Sequence, residues 1–299
     1  MPGYFTILHS GEIDAFQWEQ TLEKNNTAAF IYMHAPYLDM LTDNWLAVVN
    51  QDYSIITAIP FKKKWSIPYA YTAPFVQATS IIGNASIDDQ KAIIQIIQKK
   101  LLYGTVALHN ISLLNMGELK TNFVLPLSSS YETLYTKYTT DLKHNINKAG
   151  RNELMYYHTN SIDDALNLYI SLNSAKTPHV QKGIYGRLKK YCEQNQPDYC
   201  IRSVKDNKGN LMAIALLLQK YNRIYNVLNS VTNEGRKLHA NHWLFHKMIE
   251  EFSNSNMIFD FEGSSIPGIR NFYKGFNPME EQYTILKFNL LPFPLSLLA

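Results

Sequence analysis

The residues best placed to do chemistry lie in one stretch near the end of the chain, FDFEGSSIPGIRNFYKGFNP, residues 259–278. It begins inside an apolar, strand-like run, and along a strand successive side chains alternate between faces. Ile258, Asp260 and Glu262 therefore share one face, and Met257, Phe259 and Phe261 the other. Two carboxylates at i and i+2 stand ~7 Å apart. On a partly dry face, their repulsion and desolvation raise one of the two pKa values and make a base for an amine nucleophile. Glu262, at the exit of the strand, is the first choice for that role, with Asp260 as its partner. The competing reading is structural: Asp260 caps or salt-bridges a turn and Glu262 is solvated. Arg270 and Lys274, four apart, fall on one face of a short helical stretch and can meet an anion. Gly263, Gly268 and Gly275 lack the Lys-Ser or Lys-Thr pair of a phosphate loop. They read as punctuation, Gly263 ending the strand and Gly275 ending the helix at positive φ.

Other reactive residue types weigh less. His242 and His246 have the i, i+4 spacing of helical metal ligands, but Trp243 stands where a zinc hydrolase carries Glu, and no further ligand cluster follows. With Leu238, Phe245, Ile249 and Phe252, His242 belongs to an apolar stripe and is expected to be a core histidine with a hydrogen-bond partner. No metal site is expected. Cys192 and Cys200 lack an obvious paired histidine. The chain starts without a secretory leader, so free thiols in a cytoplasmic setting are expected.

The elements that position these residues follow from periodicity. A length of 299 residues fits about two domains. In the first half, YFTIL reads as a strand, EIDAFQWEQTLEK as a helix, and AAFIYM, WLAVVN and YSIITAIPF as strands. IDDQKAIIQIIQKKLL is a strong helix with acids near its start and lysines near its end, followed by strands TVALHNISL and TNFVLPL. The second half repeats the grammar. Strand ELMYYH and helices SIDDALNLYISL and QKGIYGRLKKYCEQN precede strands YCIRSV, NLMAIALLLQ and RIYNVLNSV, which hairpin-sized turns join. Then come helix LHANHWLFHKMIEEF, strand MIFDF, short helix GIRNFYKG and strand EQYTILKFNL. Between the halves, Tyr131, Leu134, Tyr135, Tyr138, Leu142 and Ile146 have helical spacing, with Ser130 to cap the start and Gly150 the end, so one linking helix is expected. Its Lys137, Lys143, His144 and Lys148, with Arg151 beyond, form either a solvated face or a contact for tRNA or a carrier's phosphopantetheine.

Composition sets the outer limits. The net charge of +3 is spread along the chain, which allows an anionic ligand without demanding nucleic acid. No apolar run approaches the ~20 residues of a membrane span. The tail LLPFPLSLLA, broken by prolines, supports docking against the body or a weak surface contact.

Strand, two helices, three antiparallel strands, helix, strand, short helix, strand is the element order of the GNAT acyltransferase fold. NFYKGFNP resembles the short helix of that superfamily, where an aromatic-Tyr pair precedes Gly-Phe. With FIYMHAPYLDM, YTTDLKHNINKAG and FDFEGS, the chain resembles, over almost its full length, the tandem-GNAT proteins related to the Fem peptidoglycan-bridge aminoacyltransferases. The resemblance implies that Tyr273 can protonate a leaving thiolate, as a phenol of pKa ~10 is suited to do; a packing role fits Tyr273 equally well. In GNAT enzymes the turn after the fourth strand carries Arg or Gln, two residues, Gly, one residue, then Gly or Ala, and holds the coenzyme A pyrophosphate. Here it reads Arg236-Lys237-Leu238-His239-Ala240-Asn241, and only Arg236 matches. His239 and Asn241 replace glycines, although a helix N-terminus still offers its N–H groups. The Fem relatives also depart from this motif and take aminoacyl groups from charged tRNA.

The expectation is a mixed α+β chain of two tandem GNAT-like domains, each a mainly antiparallel twisted sheet flanked by helices. Residues 1–128 form the first, and 129–299 hold the linking helix and the second, with the site. The expected reaction moves an acyl or aminoacyl group from a thioester or ester to an amine. Glu262 acts as base, Tyr273 assists the leaving group, and backbone groups around Leu228 to Ser230 polarise the carbonyl. Arg236, Lys237, Asn241, Arg270 and Lys274 meet the donor. No tightly bound cofactor is expected; acyl-CoA, an acyl carrier or aminoacyl-tRNA is the donor, and a small amine or a cell-wall precursor the acceptor. Two rival readings stand beside it: a Fem-like, aminoacyl-tRNA-dependent transferase of cell-wall precursor synthesis, and a non-catalytic binding module of the same fold.

Overall fold

The computed structural model describes residues 4–112, 116–173, 183–196, 198–263 and 266–298. The last residue of the expected strand TVALHNISL, residue 113, and the first two of the expected helix QKGIYGRLKKYCEQN, 181 and 182, lie outside them. The chain forms two compact units, residues 1–120 with 282–299 and residues 121–281. Both are α+β, with mainly antiparallel sheets flanked by helices.

Unit 1 contains β1 (Phe5–His9), α1 (Ala15–Lys24), α2 (Ala35–Leu41), β2 (Asn44–Asn50), β3 (Ile56–Lys64), β4 (Ile67–Ala70), β5 (Thr79–Ser80), α3 (Ile87–Leu101) and β6 (Tyr103–His109). β1 to β4 are successive antiparallel neighbours. α3 starts where its charge pattern places it: Ser86 and Asp89 form a capping box, and Lys99 and Lys100 close the last turn. Ile93, Ile97 and Leu101 then bury against Ile59, Leu108 and Leu286. β4 meets β6 in parallel through Ala70 and Gly104. Gly104 has φ +129°, and a Cβ there would lie 2.1 Å from the Ala70 carbonyl oxygen, so the approach requires glycine.

The expected strand AAFIYM is not one. Ile31–Met33 is a single 3-10 turn, and α2 follows with Pro36 in its first turn. Ala29, Phe30, Ile31, Tyr32 and Met33 are all buried, and a short run buried all round carries no periodicity to tell turn from strand. Pro36 was the missed signal.

Unit 2 follows β7 (Glu118–Pro126) with α4 (Tyr131–Thr136), α5 (Thr140–Gly150), β8 (Met155–Thr159), α6 (Ile162–Asn173), α7 (Gly183–Gln194), β9 (Tyr199–Lys205), β10 (Leu211–Lys220), β11 (Arg223–Val231), α8 (Asn233–Lys237), α9 (Ala240–Phe252), β12 (Ile258–Asp260) and α10 (Pro267–Lys274). Its sheet order is β7-β12-β11-β10-β9-β8, antiparallel except for β11 with β12. The final strand, β13 (Met279–Asn289), pairs antiparallel with β6.

The linking segment is two helices rather than one. Thr139 interrupts it: its side chain accepts from the Leu142 N–H as the cap of α5, and its own N–H donates to the Gly275 carbonyl. Gly275 also departs from expectation. Its φ is −56°, so it is not needed for a left-handed turn. A Cβ there would lie 3.3 Å from the Leu142 Cβ, so glycine lets the end of α10 close on α5. Around that contact Phe245 of α9 packs on Phe259, Phe261, Tyr273 and Phe276, with ring centroids 5.8–5.9 Å apart. Phe259 and Phe261 thus share the core face, as alternation predicts.

Candidate active site

Two local features of β11 open a cleft in unit 2. β12 pairs with β11 over three residues only, from Arg223↔Ile258 to Tyr225↔Asp260, so the edge of β11 from Asn226 onward is not covered by β12. On the other edge the register with β10 shifts, Leu217 facing Asn226 and Leu216 facing Leu228, which makes Val227 an extra, bulged residue. The cleft that results has a volume of about 720 Å³, within the range of small-molecule sites. β11, α6, α8, α9, α10 and the residues after β12 supply its walls.

Glu262, Tyr273, Ser230, Arg236 and Asn241 all line this cleft, so five of the sequence candidates are brought together. Glu262 does not continue the strand. β12 ends at Asp260, and Glu262 has φ +62°, a strained conformation for a non-glycine residue. That turn separates the carboxylates which alternation placed on one face. Asp260 is 1% exposed and does not line the cleft; Glu262 is half-buried at its wall.

Asp260 is held below the site by a buried network. Its Oδ2 accepts from Arg223 at 2.7 Å and its Oδ1 from Asn122 at 2.9 Å, and Arg223 also donates to Glu281 at 2.8 and 2.9 Å. Oδ1 further accepts the Glu262 N–H at 2.8 Å, which fixes the turn that aims Glu262. Burial pushes the Asp260 carboxyl up, against the pull of Arg223, Asn122 and that N–H. Its place is the structural one that the sequence left as an alternative.

Tyr273, on α10, is 7% exposed. Burial, with Glu262 nearby, pushes its phenol well above the ordinary value, while a hydrogen bond from Asn226 opposes the shift. The phenol holds its proton at neutral pH and can give it up only to a strong base formed beside it. Asn226 was not a sequence candidate. It is 4% exposed and lines the cleft, and among the described residues its Oδ1 has no hydrogen-bond partner, as is also true of the Ser230 Oγ. An Asn inside the apolar run IYNVL of a central strand was the available signal.

The remaining candidates divide. Leu228 is buried and is not among the described cleft-lining residues, although Val227 and Asn229 on either side are. Lys237 is exposed and pairs with Glu234 at 2.9 Å. Arg270 and Lys274 share a face, but it turns to Glu280, at 3.9 and 3.5 Å, and over the Phe123 ring rather than into the cleft. The α10 face that lines the cleft is Ile269, Phe272 and Tyr273 instead. His239 caps α9 in the left-handed region, φ 58°, and reaches the cleft. The Asn241 Oδ1 accepts from Asn229 at 3.0 Å.

The histidine pair is not brought together. His242 shares a hydrogen bond with the Asn145 amide at 3.3 Å, and His246 with the Tyr131 hydroxyl at 2.9 Å. Burial pushes both rings down to about 4 from an ordinary value near 6.5. Between those values the unfolded chain binds protons that the folded chain refuses, so stability should be fully present above about 6.5 and fall as the pH drops toward about 4. Thermal denaturation near pH 7 and near pH 5 should show a lower melting temperature in acid, and His246→Gln should shrink that difference. An undiminished difference would remove His246 from the effect. Cys192 is buried, which pushes its thiol up to about 12, and both cysteines are free.

No family model and no curated protein matches the sequence. Solved structures do match. The FemX crystal structure gives a TM-score of 0.68 over 98% of this chain and 99% of that one, at 12% identity. A conserved protein of unknown function from Bacteroides thetaiotaomicron VPI-5482 gives 0.61 over 95% and 100%, at 10% identity. The C-terminal domain of a putative lysylphosphatidylglycerol synthetase from Agrobacterium fabrum gives 0.56 over 97% and 95%, at 10% identity. At such identities the likeness is one of fold, and the chain has the fold of the FemX structure, as the resemblance of its residues implies.

Proposed function

We propose that this protein is an acyltransferase that moves an acyl or aminoacyl group from a thioester or ester to an amine in the unit 2 cleft. The observation that carries the reading is the meeting of Glu262 and Tyr273 at the opening between β11 and β12. Glu262 takes the proton that the amine loses as its nitrogen bonds to the carbonyl carbon. The carbonyl oxygen, charged in the tetrahedral intermediate, lies against the uncovered β11 edge. Collapse breaks the carbon–sulfur or carbon–oxygen bond, and Tyr273 gives its proton to the departing group. Proton exchange with solvent restores both side chains.

For the donor, one observation favours aminoacyl-tRNA as a second reading. Burial, and after it Lys148 and His144 of α5 nearby, push the His239 pKa down at the cleft. A lysine beside the cleft suits the phosphates of an acceptor stem. Lys143 is committed locally, donating to the Thr136 carbonyl at 2.8 Å.

Calorimetric titration with acetyl-CoA and a long-chain acyl-CoA, beside a tRNA-binding assay at two salt concentrations, tests the donor. Each donor is then incubated with primary amines. Ester or thioester cleavage that depends on the amine supports the reading; salt-sensitive tRNA binding weakened by Lys148→Gln selects the second donor. A donor that binds and is never cleaved, with any amine, would replace the enzyme by a binding module.

A further inference from the structure

One end of the unit 1 sheet carries a surface that the cleft chemistry does not use. β3 and β4 are joined by Trp65 and Ser66, between the pair Lys64↔Ile67, and both residues have positive φ, 51° and 66°. This is the geometry of a type I′ hairpin turn, which Asn-Gly fills readily and a bulky residue does not. The Trp65 side chain is 71% exposed. Lys62, Lys63 and Lys64 lead into it, and the Lys64 ammonium lies 4.8 Å from the indole centroid. A large apolar side chain held in a strained turn and open to water adds little to folding, so its use lies outside the unit.

Strand register shows what surrounds the tip. β4 runs parallel to β6 with Ala70 opposite Gly104, so the residues before Ala70 project past the start of β6. α3 finishes at that end with Lys99 and Lys100. β13 ends there too, Asn289 facing Tyr103, and the Leu290 N–H donates to the Leu102 carbonyl. Beyond it the side chains of Leu290, Phe293 and Leu297 are 54%, 81% and 73% exposed. Asp43, at this end of the sheet, is paired with Lys62 at 2.9 Å.

We infer that this end of unit 1 docks on an anionic lipid bilayer. Trp65 seats among the headgroups, where indoles are favoured, the lysines meet lipid phosphates, and Leu290, Phe293 and Leu297 enter the acyl boundary. Nucleic acid fits less well. A single strand is held in a basic groove on stacked aromatics, whereas this surface is a projecting tip whose apolar residues include leucines with nothing to stack.

The test is sedimentation of the full chain with vesicles of phosphatidylcholine alone and with about a third phosphatidylglycerol. The protein should follow the anionic vesicles and be released by salt. Lys63→Gln with Lys64→Gln should lower partition by about fivefold for each lysine. Trp65→Ser should lower it further, with circular dichroism confirming that the variants stay folded. Two results would overturn the inference: no partition to anionic vesicles, or partition that the variants leave unchanged. Neither bears on acyl transfer in unit 2, so either conclusion can fail alone.

Discussion

Arg223→Leu is expected to destabilise unit 2 by about 3–5 kcal/mol, because it leaves a carboxylate buried without its cation. The Arg223 side chain is 4% exposed and that of Asp260 1%, so water cannot replace the lost partner. Asn122 keeps its contact with Asp260, but a neutral amide does not offset a charge. Glu281 is less exacting, since its side chain is 28% exposed and can rehydrate. For a domain of this size the loss corresponds to a fall in melting temperature of roughly 6–20 °C. The double variant Arg223→Leu with Asp260→Leu should recover much of it, because two apolar groups in place of an ion pair cost far less than one stranded charge. Urea melts of the three proteins decide the matter. If the single variant melted like the parent, the network would not hold β11 to β12. If the double variant were no better than the single, the damage would come from packing rather than charge.

Glu262→Gln is expected to lower turnover by about 10²–10⁴-fold, the usual worth of a positioned base. Tyr273→Phe should lower it by a similar factor if departure of the leaving group limits the rate. Both changes keep size and shape, so donor affinity should hold and the loss should fall on kcat. Tyr273 is also packed on Phe245 and Phe261, so a melting curve must accompany the rate. The two losses should not add if the residues act in one proton circuit. Wild-type turnover in both variants would end the assignment of roles while leaving the fold and cleft in place. A slower rate with equally weakened donor binding would make them binding residues.

Much of the local structure was legible because it rests on local physics. The capping box of α3, its terminal charges and its buried isoleucines could be read from spacing alone. So could the pairing of Phe259 and Phe261 on one face, since alternation is a property of the extended backbone. AAFIYM failed for the converse reason: a run buried on every side has no period. The linking segment failed because its break depends on Thr139 meeting the carbonyl of Gly275, far along the chain.

The candidate site divides in the same way. The amino-acid order shows which residue types were at hand: a Glu-Gly turn after an apolar strand, a tyrosine on the following short helix, and a Ser on the strand that forms the wall. It also determined the GNAT-like element order. The folded chain set what no local pattern shows, that Asp260 belongs to Arg223 and not to Glu262, and that Arg270 and Lys274 turn to Glu280. It likewise decided that Asn226 faces the cleft. Periodicity fixes the face on which a side chain leaves its own strand or helix. What that face meets depends on residues brought from 37 positions away in Arg223 and Asp260, or 138 in Asn122 and Asp260. No local rule carries information across those separations, and the partner set by the fold decides whether a carboxylate becomes a base or a strut.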